Sequence, residues 1–363
     1  MRWWMKWAIG LAVVMGLAVL GLRIFQTPLM WRVFERAVET NIAADTSEAR
    51  ADGLHVFLCG TGSPIPDEQR AAVCVGVVAG DQAFVFDAGS GGIRKLGRMG
   101  FPMGQMEGAF LTHLHSDHID GLGELLLMSW IGTQEFRSEP LPVRGPRGTQ
   151  RVVDAFNAAY ELDRGYRIAH HGADIATPSG YGGRPIEITL PLGPSSSEVI
   201  YEAGDIRVTA IRVNHGPIEP ALGYRVDYKD RSISLSGDTV YHPGFVAASR
   251  NVDVMFHEAE DPDMVHRMAQ ALDGVGRRVS ATLLRDTLNY HATPEDAARA
   301  AEEAGATELV YYHIVPPMPV RSLYPIWLGD AERVFSGRLR VGEDGMIISL
   351  PTASEEIVHS SAF

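Results

Sequence analysis

Cysteine is scarce in this chain: among 363 residues there are only two, Cys59 and Cys74. Two cysteines cannot supply a cysteine-rich zinc ribbon, and they cannot form the framework of several disulfides that holds small secreted domains together. A single bridge between neighbouring strands is one alternative, but we expect two separate buried thiols.

Positive charge is also in short supply. The chain has 32 Lys and Arg against 45 Asp and Glu, a formal net charge of −13. Residues 1–50 hold six basic and four acidic residues, a balance of +2, which leaves −15 for the remainder. A body this acidic repels phosphate backbones unless a local basic patch overrides the effect. We therefore expect no nucleic-acid partner.

The rest of the composition is that of a globular protein. Apolar residues make up 45% of the chain and charged residues 21%, which is enough for a sizeable core. The length exceeds the usual range for one domain, although large α/β proteins do form single units of this size. We expect one catalytic domain behind an N-terminal extension.

The N-terminus carries the longest apolar run. Arg2 and Lys6 precede an unbroken run from Trp7 to Leu22, and the stretch Trp3–Phe25 reaches the roughly 20 residues that a membrane span requires. No convincing cleavage site follows. We predict an uncleaved signal anchor over residues 1–25, a connector over 26–53 and a hydrolase domain over 54–363. The chain would then be membrane-anchored, with its body in the periplasm or outside the cell.

Downstream of residue 54 the pattern is that of two groups of strands, each accompanied by helices. This arrangement predicts an α/β fold in which two sheets pack face to face with helices on the outside. Residues Glu161 to Ser197 are dense in Gly, Pro and Ser, and we expect a loop excursion there.

The most informative segment is Ala109–Leu122, A-F-L-T-H-L-H-S-D-H-I-D-G-L. In an extended turn, residues two apart project the same way, so His113 and His115 can converge on one cation. Asp117 and His118 then point toward a second. Imidazole and carboxylate are ligands that zinc selects, so this spacing supplies half-sites for two metals. A polar loop that happens to be His-rich is the alternative.

Three later positions add ligand types, each at or near the end of a predicted strand: His215, Asp238 and His313. Loops at strand ends on a rigid scaffold are where binding groups are usually placed. Alone, each would more often be a surface histidine or a turn aspartate. Asp87 has the same setting, and we interpret it as a carboxylate that orients ligands.

The order H-x-H-x-D-H, H, S-G-D, H resembles the metallo-β-lactamase superfamily over about Val56 to Val315. That resemblance implies a four-layer αββα sandwich holding two Zn²⁺ between its sheets. It also assigns the ligands: one zinc would be held by His113, His115 and His215, the other by Asp117, His118 and His313, with Asp238 bridging them. Asp117 could also accept the proton of the nucleophile.

Two further motifs resemble the ribonuclease Z and arylsulfatase-like branch of that superfamily: H-E-A at residues 257–259 and H-x-T-P-E-D-A-A at residues 291–298. By this resemblance His291, oriented by Glu258, protonates or neutralises the leaving oxygen of an anionic ester. The alternative is that His291 only precedes a helix whose start is marked by Thr293 and Pro294.

Our main functional prediction is an exported dizinc hydrolase of small anionic esters, either sulfate or phosphate. A ribonuclease Z-like endonuclease that processes tRNA 3′ ends is the alternative, which an acidic, outward-facing body argues against. A lactonase, a β-lactamase and a non-enzymatic metal-stabilised domain remain further options. The substrate-binding candidates are Arg70, His170 and His171.

Overall fold

The computed structural model describes residues 3–41, 50–131, 137–191, 193 and 196–363. It divides into two compact units, Met1–Ala49 and Arg50–Phe363.

The first unit contains one helix, α1 (Trp3–Asn41). Its stretch Trp3–Glu39 has a mean hydropathy of 2.3 over its most apolar window and is long enough to cross a membrane. Signal sequences share this length and hydropathy. The helix continues well beyond residue 25, where we placed the end of the apolar segment. Residues 26–41 contain no glycine, and the helix accommodates Pro28 in its interior.

In the second unit the strands of the described residues are β1 (Gly53–Gly60), β2 (Cys74–Ala79), β3 (Gln82–Ala88), β4 (Met106–Phe110), β5 (Leu141–Gly145), β6 (Gly183–Glu187), β7 (Ser197–Ala203), β8 (Ile206–His215), β9 (Ile218–Tyr228), β10 (Arg231–Leu235), β11 (Val254–Glu260), β12 (Glu308–Val315), β13 (Arg338–Val341), β14 (Met346–Pro351) and β15 (Val358–Ser361). The helices are α2 (Gly92–Arg98), α3 (Ser116–Ile119), α4 (Leu122–Ile131), α5 (Thr149–Ala159), α6 (Glu161–His171), α7 (Pro243–Ala248), α8 (Pro262–Gly274), α9 (Arg278–Thr287), α10 (Pro294–Ala304), α11 (Tyr324–Leu328) and α12 (Ala331–Val334).

The strands form two mixed sheets. The first has eight strands in the order β15-β14-β1-β2-β3-β4-β5-β6, and the second has seven in the order β13-β12-β11-β10-β9-β8-β7. The inner faces of both sheets share one apolar cluster, in which Phe86 stacks on Phe110 at 5.0 Å and Tyr224 packs on Phe110 at 5.6 Å. Each such buried side chain contributes roughly 2–3 kcal/mol through removal from water.

Helices cover the outer face of each sheet. Side chains of α2, α4 and α5 pack on the first sheet, and side chains of α7, α10 and α12 pack on the second. The four-layer αββα sandwich that the sequence predicts is therefore confirmed.

We predicted one loop over the region Glu161–Ser197, and this prediction is wrong. Its first eleven residues form α6, which two ion pairs along the helix stabilise, Glu161–Arg164 at 2.9 Å and Asp163–Arg167 at 2.6 Å. Residues Gly183–Glu187 then pair with β5 as the edge strand β6. The Gly, Pro and Ser residues that suggested a loop lie mostly after the helix.

Cys59 and Cys74 form a disulfide, with their Cα atoms 5.1 Å apart, so the prediction of two separate thiols is wrong. Strands β1 and β2 are antiparallel neighbours, and a register shift after Leu58 places Gly60 opposite Cys74. Adjacent strands at this register bring the two cysteines within bridging distance. Strand order, which spacing alone does not reveal, decides this pairing.

Removing the disulfide should lower the stability of the body. The bridge spans 15 residues of sequence, and in the chain-entropy model a closed loop of that length stabilises the folded state by about 3 kcal/mol. We expect the Cys59→Ala/Cys74→Ala double variant to unfold at correspondingly lower denaturant concentration. Added reductant should destabilise the wild type and leave the double variant unchanged. Equal stability of the two proteins would contradict this prediction.

Candidate metal centre

Seven candidate ligands converge where the two sheets meet the loops at their edge. The segment after β4 carries His113 and His115, and the single-turn helix α3 carries Asp117 and His118. The others come from the second sheet, with His215 at the end of β8, Asp238 after β10 and His313 inside β12. Among these seven, only His115 is more than slightly exposed.

The ligand atoms form three overlapping groups, within each of which they lie no more than 4.8 Å apart: His113, His115, His215 and Asp238, then Asp117, His118 and His313, and also Asp238, His291 and His313. The first two groups, called the two sets below, contain the ligands expected for two half-sites.

Asp238 lies between the two sets. Its Oδ2 atom is 3.8 Å from Nε2 of both His113 and His215. The same oxygen is 3.4 Å from Nε2 of His118 and 3.2 Å from Nε2 of His313. One carboxylate that faces imidazoles of both sets is placed to bridge two cations.

Several inward-facing atoms lack a hydrogen-bond partner among the described residues: Asp117 Oδ2, His118 Nε2, Asp238 Oδ1 and His313 Nε2. Buried polar atoms without partners cost free energy, and native proteins contain few of them. A divalent metal ion would satisfy all four. The set of imidazole and carboxylate donors therefore fits a metal centre of the kind that zinc occupies.

The protonation states of the candidate ligands differ. Burial, with His118 beside it, holds the pKa of His113 well below its usual value, and burial lowers the pKa of His215 to about 4. Burial by itself lowers the pKa values of His118 and His313, but Asp238 outweighs it, raising the pKa of His118 well above its usual value and that of His313 to about 9. The same two histidines hold the pKa of Asp238 well below its usual value, against the effect of burial. Neutral imidazole and ionised carboxylate are the forms that bind a metal, so His118 and His313 would each release a proton when a metal binds.

Asp87 holds one side of the centre. Its Oδ2 atom accepts hydrogen bonds from His118 Nδ1 and Thr112 Oγ1, both at 2.8 Å, and its Oδ1 atom accepts one from Thr112 N at 2.8 Å. Because His118 Nδ1 donates to Asp87, Nε2 is the nitrogen left to face the cluster. Asp87 and His313 are both non-glycine residues with positive φ, 56° and 45°, a sparsely populated conformation that is concentrated at functional sites.

Glu258 and His291 form a pair at the rim of the cluster. His291 Nδ1 lies 3.0 Å from Glu258 Oε1, which also accepts hydrogen bonds from the backbone N–H groups of Thr239 and Ala292, each at 3.1 Å. The His291 ring stacks on that of His313, with centroids 5.4 Å apart. Burial lowers the pKa of His291, so the free ring is largely neutral at pH 7. This position lets Nε2 of His291 reach a group bound at the metals.

Arg70 does not face the centre, so our prediction that it binds substrate is wrong. The side chain is buried, with 8% exposed. Its Nη1 atom donates to Thr61 Oγ1 and to the carbonyl of Gly342, both at 2.5 Å, and Nη2 donates to Tyr324 Oη at 2.8 Å. All of these partners are internal, so Arg70 braces the fold.

His170 and His171 also lie apart from the cluster. They occupy the exposed last turn of α6, where their rings contact each other at 4.7 Å, and neither belongs to the groups whose ligand atoms meet. The placement does not support the predicted role in the pocket. Basic residues in the last turn of a helix interact favourably with the helix dipole, which accounts for both.

Tyr290 is a site residue that the sequence analysis missed. Its carbonyl oxygen lies 3.1 Å from His215 Nδ1, and its ring packs edge-on against the His215 ring at 4.9 Å. Both contacts orient His215 so that Nε2 faces the cluster. Proximity to His291 in the sequence was the only available signal, because every residue has a backbone carbonyl and the residue type does not show which one makes a contact.

Glu260 was missed as well. It is 3% exposed, and burial raises its pKa to about 7. The Thr287 hydroxyl contacts both Glu260 Oε1 and the carbonyl of Leu284. The Thr287 hydroxyl is the donor in both contacts, so its single hydrogen is shared between Glu260 and the Leu284 carbonyl. The bond to Glu260 ties β11 to the end of α9, just before His291.

Replacing Glu260 by glutamine should change the pH dependence of stability. The folded-state pKa of about 7 lies above the ordinary value of 4.5, so the stability contributed by the protonated acid is complete below pH 4.5 and is lost as the pH rises through 7. Glutamine cannot ionise, so we expect Glu260→Gln to exceed the wild type by up to about 3 kcal/mol near pH 8 and to match it near pH 4. Urea unfolding at both pH values measures this. A constant difference between the two proteins would contradict it.

Comparisons with known proteins identify the family. The model of the beta-lactamase superfamily domain matches residues 83–314. A ribonuclease Z of Mycobacterium bovis (strain BCG / Pasteur 1173P2) is 36% identical over 292 residues, which cover 80% of this chain and 96% of that protein. A ribonuclease Z of Mycobacterium avium (strain 104) is 34% identical over 291 residues, with the same coverage.

Solved structures show the same fold. The short form of human tRNase Z superposes with a TM-score of 0.57 at 23% identity, covering 82% of this chain and 99% of that one. The metallo-beta-lactamase fold protein YhfI of Bacillus subtilis also gives a TM-score of 0.57, at 20% identity, covering 82% of this chain and 100% of that one.

These relatives correct our main functional prediction. They are ribonucleases Z that match over nearly their whole length, so the prediction of a hydrolase of small sulfate or phosphate esters is wrong, and nothing supports arylsulfatase specificity. The cluster of histidines and aspartates and the fold stand as predicted. This chain is a metal-dependent hydrolase of the metallo-β-lactamase superfamily and belongs to the ribonuclease Z family.

Proposed function

We propose that this protein is a ribonuclease Z-like endonuclease that hydrolyses a phosphodiester bond near the 3′ end of precursor tRNA. One observation carries the proposal: 36% identity to a ribonuclease Z that extends over 96% of that protein. The converged ligand cluster and the Glu258–His291 pair support it, because a phosphodiesterase needs both a charged centre and a donor for the leaving oxygen.

We propose that two zinc ions occupy the centre, one on each set of ligands, with Asp238 between them. Bound there, they would polarise the phosphoryl oxygens and lower the pKa of an attacking water. Both sets combine imidazole nitrogen with carboxylate oxygen, which suits zinc better than the all-oxygen sites of magnesium. Metal analysis of the purified full-length chain should find close to two zinc ions per molecule.

Two side chains of the protein then carry out the proton transfers, one at the attacking water and one at the leaving oxygen. Water oxygen bonds to phosphorus, and Asp117 accepts a proton from that water. The bond from phosphorus to the leaving ribose oxygen breaks. His291, which takes up a proton at Nε2 when the anionic substrate binds beside it and raises its pKa, donates that proton to the leaving oxygen. Glu258, which accepts the Nδ1 hydrogen bond of His291 at 3.0 Å, stabilises the protonated imidazole before the transfer.

Our expectation that nucleic acid is not a partner is wrong for a ribonuclease Z relative, and the physical reason is instructive. A net charge of −13 describes the whole chain, whereas a substrate responds to the field near the site. Two divalent cations in a buried cluster are the largest charges in their neighbourhood and attract phosphate strongly. Net charge alone cannot exclude a phosphodiester substrate from such a centre.

A direct assay tests the proposal. The zinc-loaded full chain should cut a precursor tRNA transcript at one position near the mature 3′ end, and it should leave the mature tRNA uncut. Adding a chelator and then restoring zinc should abolish and recover the cleavage. An aryl sulfate serves as the comparison substrate. Turnover of the small ester without cleavage of the transcript would refute the proposal.

We also propose that α1 anchors the chain in a membrane, because Trp3–Glu39 combines the necessary length with a mean hydropathy of 2.3 over its most apolar window. The full-length protein should stay in the membrane fraction after alkaline carbonate extraction, and mass spectrometry should find its N-terminal residues intact. Recovery of a shortened chain in the soluble fraction would identify a cleaved signal sequence instead.

The side of the membrane that the body faces stays a prediction. The Cys59–Cys74 disulfide favours an oxidising compartment outside the cytosol, where such bonds persist. Precursor tRNA is not expected there, so topology decides which RNA the enzyme can reach. Protease digestion of intact cells, spheroplasts and lysed cells measures it. Protection that persists in spheroplasts and is lost on lysis would place the body in the cytosol.

A further inference from the structure

A cavity of about 480 Å³ opens beside the metal centre. His215, one of the candidate metal ligands, forms part of its wall, together with Arg212, Asn214, Tyr241 and His242. The volume falls within the range of about 300–1,000 Å³ that is usual for small-ligand sites. A group bound there would lie directly next to a phosphodiester held at the metals.

The cavity is held by the same backbone as the centre. One wall is the end of β8, which leads into His215, and the other is the segment that follows Asp238 and enters α7. Val240 N donates to Asn214 O at 3.0 Å, and Asn214 N donates to Thr239 Oγ1 at 3.1 Å. These bonds join the two walls, so the cavity and the ligands keep a constant spacing.

Asn214 presents an unused donor. Its Oδ1 atom accepts a hydrogen bond from Gly216 N at 3.1 Å, which sets the orientation of the amide. The Nδ2 group forms no hydrogen bond within the described part of the chain, and the side chain is exposed. Two amide hydrogens are therefore left for a ligand.

His242 presents a second donor. Its Nδ1 atom accepts a hydrogen bond from Phe245 N at 3.2 Å as the N-cap of α7, so the ring hydrogen is on Nε2. Burial lowers the pKa of His242, so the ring stays neutral at pH 7. Nε2–H has no partner among the described residues, although only 9% of the residue is exposed.

The remaining walls supply an aromatic surface and little net charge. Arg212 pairs with Glu219 at 2.5 Å, which neutralises the guanidinium. Tyr241 lines the cavity, and Arg299, which is not among the lining residues, packs 3.7 Å from the centroid of its ring. An aromatic ring next to neutral donors matches the flat base and the acceptor oxygens of a nucleotide.

We infer that this cavity binds the nucleotide adjacent to the scissile phosphodiester, with Asn214 and His242 donating to its acceptor atoms and Tyr241 contacting its base. The inference rests on the proposed function, since it takes the substrate to be RNA. It assigns recognition of the strand to residues outside the metal centre.

Two substrates separate this subsite from the centre itself. Precursor tRNA provides the neighbouring nucleotide, whereas bis(p-nitrophenyl) phosphate is a phosphodiester without one. Asn214→Asp keeps the oxygen that Gly216 N requires and replaces the donor with a charged acceptor. His242→Ser keeps a good N-cap and removes the Nε2 donor. The ratio of kcat/KM on RNA to kcat/KM on the small diester should fall about tenfold or more in Asn214→Asp and severalfold in His242→Ser, mainly through KM.

The matched control is Asp205→Asn, an acid–amide exchange at an exposed turn residue, which should keep the wild-type ratio. An unchanged ratio in both cavity variants would overturn the inference and leave the proposed function intact. A parallel loss on both substrates, with reduced zinc content, would show damage to His215 and would also overturn it.

A binding measurement covers the case in which RNA is not cleaved at all. Calorimetry with uridine 5′-monophosphate requires no turnover, and its affinity should fall about tenfold or more from wild type to Asn214→Asp. If the wild type cleaves no RNA but binds this nucleotide through Asn214, the cavity stands and the proposed function fails. If the nucleotide does not bind, or binds both proteins equally, the cavity is not a nucleotide site.

Discussion

Asp238→Ala should abolish hydrolysis and empty the metal centre. The Asp238 Oδ2 atom lies 3.2–3.8 Å from the inner nitrogens of four histidines that belong to both ligand sets. Without it, the two proposed cations would lose a shared ligand and would repel each other with less compensation. We expect kcat/KM to fall at least about a thousandfold.

The measurement combines zinc content with turnover of the small diester. Asp120→Ala is a matched control, because Asp120 is an exposed acidic residue just beyond the same H-x-H-x-D-H segment. It should retain about two zinc ions and normal turnover. An Asp238→Ala protein that still bound two zinc ions would contradict the bridging position, even if its activity were low.

His291→Ala should slow the reaction and leave the metal content unchanged. His291 contacts the cluster from the rim, with its ring 5.4 Å from that of His313, and Glu258 holds its Nδ1 atom. A positioned general acid typically contributes about a hundred- to ten-thousandfold to the rate. We therefore expect kcat on RNA to fall by that factor, because the ribose oxygen is a poor leaving group unless it is protonated.

Leaving-group dependence distinguishes this role from a structural one. p-Nitrophenolate departs readily without protonation, so His291→Ala should lose far less activity on bis(p-nitrophenyl) phosphate than on RNA. Glu258→Gln keeps the shape of the partner and replaces its carboxyl group with an amide that cannot ionise, and it should give an intermediate loss with the same substrate pattern. Loss of one zinc ion from His291→Ala would instead make His291 a ligand, since its ring also lies near Asp238 and His313.

The motif H-x-H-x-D-H was informative because its chemistry is local. Four ligands within six residues need only one strand and one turn to converge, and α3 supplies that turn. The later histidines and Asp238 were recognisable because each follows an apolar strand pattern, and the sandwich brings those strand ends to one edge. The same logic predicted that Asp87 would lie behind the ligands, and it contacts His118.

The errors share a different cause. Arg70 looked like a surface loop residue, but tertiary contacts with Thr61 and Tyr324 bury it. The net charge gave no information about the field at the site, so it misled us about nucleic acid. His170 and His171 were placed in a loop near the pocket, whereas the ion pairs of α6 make that region a helix.

The amino-acid sequence by itself determined the fold class, the residue types of the metal centre and their order along the chain, because strand periodicity and short ligand spacings are local properties. Only the tertiary structure decided which groups act on one another: that Cys59 bonds to Cys74, that Tyr290 and Glu260 brace the centre, and that Asn214 and His242 line a cavity beside it. These contacts depend on strand order, burial and the positions of backbone carbonyls, and none of the three can be read from residue types alone.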